Sequence, residues 1–144
     1  MNIRRSIAAA GAAVILGTTG ALVLPAVAGA HVASTTLKFT AVINKHISLT
    51  SSTFANQETD VNSTGNTIGF DDVYAKITGP NAATANVALD IKGGFLYGVV
   101  TTTDGGKTFS GKVTGGTGAF KAATGTITAK AITSTKTAVT VVYS

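Results

Sequence analysis

No cysteine or tryptophan occurs anywhere in the chain, and proline appears only at Pro25 and Pro80. The missing thiols exclude a disulfide-stapled scaffold, a thiol nucleophile and thiolate metal sites, so burial and hydrogen-bonded sheet must hold the fold alone. Arginine is confined to Arg4 and Arg5. Beyond them, nine lysines stand singly among six acidic residues. A nucleic-acid binder clusters its basic residues on one face with interleaved aromatics, so this scatter argues against that partner and reads as solvated strand faces. Histidine occurs only at His31 and His46. Some 15 residues of continuous strand would hold those two roughly 50 Å apart, so no metal site is expected, despite the chelating potential of an N-terminal His31. No Gly-x-Ser-x-Gly elbow is present, and Gly106-Lys107-Thr108 lacks the leading glycine of a phosphate loop.

Met1 to Ala30 has a charged start at Arg4 and Arg5, an uncharged Ala-rich run from Ile7 to Leu24, and a small-residue end at Ala28-Gly29-Ala30. That is the pattern of a secretory signal peptide. The expectation is export, cleavage after Ala30, a single domain over residues 31–144, and no stable membrane anchor after cleavage.

Beyond this leader the dominant pattern is two-fold alternation. Leu37, Phe39, Ala41, Ile43, Ile47 and Leu49 fall on one side of a strand, with Lys38, Thr40, Asn44, His46 and Ser48 on the other. Lys45 interrupts the apolar side and marks a bulge, a strand end or a functional amine. Residues 50–66 are polar and read as a long loop or frayed edge strand, with a formal glycosylation sequon at Asn62-Ser63-Thr64. Strand patterns resume over Thr67–Ile77, Ala83–Ile91, Phe95–Thr103, Lys107–Thr114, Thr126–Ile132 and Lys136–Tyr143. Gly93-Gly94 and Asp104-Gly105-Gly106 form short turns between them. Seven or eight strands with no helical period after Leu24 predict an all-β sandwich or barrel.

Three runs resemble the allene oxide cyclase and dirigent proteins. They are Gly69-Phe70-Asp71-Asp72, the Gly-Gly-Thr-Gly-x-Phe run from Gly115 to Gly125, and the closing strand Val139 to Tyr143. The resemblance implies an eight-stranded antiparallel β-barrel, homo-oligomeric and often trimeric in plant members. It also implies a cavity that guides a reactive hydrophobic small molecule through cyclisation or coupling without a cofactor. Two family features are missing: Thr124 occupies the place of an arginine, and Thr108 to Thr114 holds no acid.

Asp71 and Asp72 are neighbours on a strand, so only one can face an interior, where burial would raise its pKa and suit it to proton donation. With Tyr74 they form the catalytic candidates. Tyr97, Phe70 and Phe95 are the ligand-binding candidates, set against plain core or surface roles. The functional expectation is a cofactor-independent cyclase, isomerase or stereochemical guide. The competing expectation is a non-enzymatic exported binding or surface protein.

Overall fold

The computed structural model describes residues 33–144. The leader, its cleavage site and His31 lie outside the described residues. Eight strands succeed one another: β1 (Thr35–Ser48), β2 (Thr53–Val61), β3 (Thr67–Gly79), β4 (Ala82–Ile91), β5 (Gly94–Thr102), β6 (Thr108–Gly116), β7 (Gly125–Thr133) and β8 (Lys136–Tyr143). Each pairs antiparallel with the next, and β1 pairs with β8, from Thr35 opposite Tyr143 to Val42 opposite Lys136. The sheet is therefore a closed barrel with no free edge.

Alternation decides what lies inside. Phe39 and Ala41 from β1, Ala75 from β3, Ala85 and Leu89 from β4, Leu96 and Val100 from β5, Val113, Ile127 and Val141 are all buried in one cluster. All nine lysines are exposed. Lys45 sits beside a register break between Ile43 and Lys45, so the interruption in the sequence pattern is a bulge. There β1 leaves β8: the Ile43 amide donates to Thr135 O at 2.9 Å, while the rest of the strand continues against β2 alone.

Residues 50–66 correct the expectation of a long loop or frayed edge strand. Thr53–Val61 is a full strand, paired on both sides. Its inward face is Asn56, Glu58 and Asp60, all buried, so the polar side of its alternation points into the barrel.

The two ends of the barrel differ. At one, the β4–β5 turn at Gly93-Gly94, with φ of 114° and 137°, is open only to glycine. Gly93 O there accepts the Ala119 amide at 2.9 Å, and Phe95 O accepts the Thr117 amide at 2.8 Å. These bonds tie down the β6–β7 connection, whose short 3-10 turn Gly118–Phe120 buries Phe120 edge-on against Tyr143, centroids 5.5 Å apart. At the other end, Asp104 organises the β5–β6 turn. Its carboxylate accepts from the amides of Lys107 and Thr108 and the hydroxyls of Thr102 and Thr108, which holds its pKa below the usual carboxylate range.

At Gly111 two strands come close together: a Cβ there would run into the Val99 carbonyl and the Val100 Cα, both backbone. Because backbone cannot swing aside, Gly111→Ala should destabilise the barrel by about 2 kcal/mol or more. Denaturant unfolding checks this; a midpoint equal to wild type would show that β5 and β6 can separate freely.

Candidate functional site

The barrel encloses a cavity of about 510 Å3 that reaches the turns at Gly79–Ala82, Gly105–Gly106 and Thr133–Ser134. Most of its wall is apolar: Phe39, Phe54 and Phe109 supply rings, and Ala41, Ala75, Ala83, Ala85, Ala129 and Ala131 supply little bulk. Asn56, Glu58 and Asp71 are set into one side of it.

Those polar groups are placed by register. Glu58 on β2 lies directly opposite Asp71 on β3, and Asp60 is the next inward position on β2, opposite Gly69. Asp60 is 0% exposed, and neither of its carboxyl oxygens has a hydrogen-bond partner in the protein. Asp71 is 6% exposed, and its Oδ1 is likewise unpartnered. Glu58 is better provided for: Asn56 Nδ2 donates to its Oε1 at 3.1 Å. Asn56 is oriented in turn by His46, whose Nδ1 lies 2.8 Å from Asn56 Oδ1. An amide oxygen only accepts, so Nδ1 carries the proton.

Burial among apolar walls disfavours charge, and three acids in one patch disfavour it further. Desolvation pushes Asp71 up to about 9, with Glu58, Asp60 and Asp72 adding repulsion. Desolvation and Glu58 push Asp60 up to about 7. Glu58 is also raised by burial, against the lowering effect of the Asn56 amide. At neutral pH Asp71 is thus a neutral acid with a proton to give, and Glu58 is the member of the pair helped to ionise. That separation of two facing carboxyls is what acid and base roles require.

The candidates from sequence are split by strand parity. Asp71 faces the cavity; Asp72 faces solvent. Phe70, Tyr74, Phe95 and Tyr97 are corrected as cavity residues: they lie on the outer face, 38% to 56% exposed. Phe95 and Tyr97 are successive outward positions on β5 with rings stacked 6.2 Å apart, and Asp72, Tyr74 and Tyr97 line an outer groove with Gln57 and Asn86. The interior acids missed in the sequence, Glu58 and Asp60, sit in the segment that reads as a loop. Their spacing with Asn56, every second residue, is the available signal. Among the described residues, no group of three or more such side chains is arranged to hold a metal ion.

No family model matches the chain, and no curated protein does at the level of sequence. Solved structures do. A pyocyanin demethylase superposes with a TM-score of 0.66 at 13% identity, over 76% of this chain and 100% of that one. The Diels Alderase AbmU from Streptomyces koyangensis superposes with a TM-score of 0.62 at 11% identity, over 76% of this chain. The likeness is one of fold. This chain spans 63% of the AbmU chain.

The interior acids set the pH dependence of stability. Between their ordinary value near 3.8 and their raised values of about 7 and 9, the native state holds protons that the unfolded chain releases. Stability is therefore greatest on the acid side of that window and falls as pH rises through it. The melting temperature should be higher at pH 5 than at pH 8.5, and Asp71→Asn should narrow the difference by stabilising the protein at pH 8.5. Equal melting temperatures at the two pH values would refute the burial of these carboxyls.

Proposed function

We propose that the chain is a secreted small-molecule barrel of the allene oxide cyclase and dirigent type, whose interior guides a cofactor-independent isomerisation or cyclisation of a hydrophobic ligand. Asp71 carries the reading: a buried carboxyl with an unpartnered oxygen, neutral at physiological pH, in the wall of an apolar cavity and facing a second carboxyl on the adjacent strand. A buried acid without a partner destabilises a fold, and a ligand that accepts its hydrogen bond relieves that cost.

The chemistry comes from the pair. Asp71 donates its proton to one atom of the ligand, and the Glu58 carboxylate accepts a proton from another. The product is an isomer of the substrate, and proton exchange with solvent resets the two carboxyls. The apolar wall contributes by selecting one folded conformer of the ligand, an effect that reaches up to about 10 kcal/mol in favourable intramolecular reactions. The structural relatives support an enzymatic interior: one is named for demethylating pyocyanin, the other for Diels–Alder chemistry. A non-enzymatic binding protein is the second reading. It is favoured by the outward placement of Tyr74 and Tyr97, which leaves carboxyl groups as the ionisable side chains of the cavity wall.

Incubating the purified protein with an organic metabolite extract, then identifying retained compounds by mass spectrometry, tests both. The expected result is a retained hydrophobic compound that wild type converts to an isomer of equal mass. Asp71→Asn should retain it with conversion slowed about 100-fold or more, the usual worth of a positioned acid. Retention without conversion in wild type would favour the binding protein, and no retention would overturn the small-molecule reading.

A further inference from the structure

The charges of this protein are segregated. Every lysine is exposed, whereas Glu58, Asp60 and Asp71 are buried on one side of the interior. Among the described residues, no lysine, arginine or histidine belongs to the cavity wall. The groups facing Asp71 from the elements around it are of one sign: Glu58 and Asp60 from β2, and Asp72 behind it on β3. The strands that complete the wall bring apolar side chains here, among them Phe39 from β1, Leu89 from β4, Leu96 from β5 and Val141 from β8. His46 on β1 reaches the set only through the Asn56 amide, whose donor is already given to Glu58.

Buried carboxyls ordinarily have a cationic partner, because the mutual attraction offsets part of the desolvation. Here the described residues supply none, yet two of the three acids keep buried unpartnered oxygens, and Asp71 forms part of the cavity wall together with Glu58. The same cavity is walled by the rings of Phe39, Phe54 and Phe109, whose faces attract a weakly hydrated cation. We propose that the barrel interior is a site for a hydrophobic organic cation, such as a quaternary or aromatic nitrogen compound, whose charge pairs with the Glu58–Asp71 carboxyls while its apolar body fills the alanine-lined space. This inference rests on the reading of the interior as a ligand site and specifies the class of ligand that it takes.

Three probes of nearly equal shape separate charge from fit: N-methylquinolinium, a permanent cation; 1-methylnaphthalene, its neutral counterpart; and 1-naphthoate, an anion suited to the exposed lysines instead. Isothermal titration of each into the full protein at pH 8 should give an affinity for N-methylquinolinium at least about tenfold above that for 1-methylnaphthalene, with 1-naphthoate weakest. The probe carries no titratable proton. Its affinity should therefore rise from pH 5 to pH 8 as interior carboxyls ionise, and titrations in buffers of different ionisation enthalpy should show protons released on binding. Glu58→Gln and Asp71→Asn should each erase most of the preference for the cation while retaining 1-methylnaphthalene, with folding of each variant confirmed by its unfolding curve. The wild-type comparison needs no variant. Equal or tighter binding of 1-methylnaphthalene or 1-naphthoate would overturn the cation assignment and leave the interior as a ligand site. Failure of all three to bind would overturn both.

Discussion

The pairing of β1 with β8 is the constraint on which everything else depends. Eight residue pairs, from Thr35–Tyr143 to Val42–Lys136, convert a meander into a tube. Once it closes, every strand has a paired neighbour on each side, and only the end of β1 beyond Ile43 runs past its β8 partner. Closure also removes choice from the side chains. On an open sheet a polar residue can turn its face to water, but within a closed eight-stranded barrel each inward position is committed to the interior. Glu58, Asp60 and Asp71 are buried for that reason, and their raised pKa values are a consequence of topology.

A barrel of this strand number is narrow enough for side chains to fill. That this one keeps a cavity of about 510 Å3 is due to the alanines that recur around its wall. Larger residues accumulate toward the end where Phe120 packs against Tyr143 and where Leu89 and Leu96 are buried. The glycine-rich run from Gly115 to Gly125 belongs to that end. Its role is architectural: it lets β6 turn sharply, dock the Ala119 amide on Gly93 and fold Phe120 inward before β7 begins. The bulk is thus concentrated at one end, with the acids level with Leu89, which pairs with Asp71, and the open space lies beyond them.

Alternation makes most of this legible in the sequence. Period-two runs of Val, Ile, Ala and Phe locate seven strands of an all-β sandwich or barrel, and even the lone Lys45 marks a real bulge. What escapes is the strand whose inward face is polar. Thr53–Val61 alternates like the rest, but with Asn56, Glu58 and Asp60 where its neighbours carry apolar residues, so a reading keyed to hydrophobic period takes it for a loop or a frayed edge. The aromatics mislead in the opposite direction. Phe70, Tyr74, Phe95 and Tyr97 look like lining, yet their parity is that of the solvent face, since Asp71, Val73 and Ala75 hold the inward positions of β3. In both cases position along the strand outweighs residue type, because closure fixes direction before chemistry is consulted.

The interior acids are not equivalent, and the difference comes from β1. Beyond the bulge at Lys45, the strand runs past the end of its pairing with β8 and places His46 against Phe54 and within reach of Asn56. His46 thereby fixes which end of the Asn56 amide faces inward, and only that orientation presents a donor to Glu58. Asp71 and Asp60 have no comparable donor. The acids therefore differ: the Asn56 donor favours negative charge on Glu58 against its burial, while burial pushes Asp60 up to about 7 and Asp71 up to about 9. A site that had merely buried acids would offer three similar groups. This one, through a bulge and an exposed histidine on a neighbouring strand, sets a carboxyl that is helped to ionise directly across from one that keeps its proton.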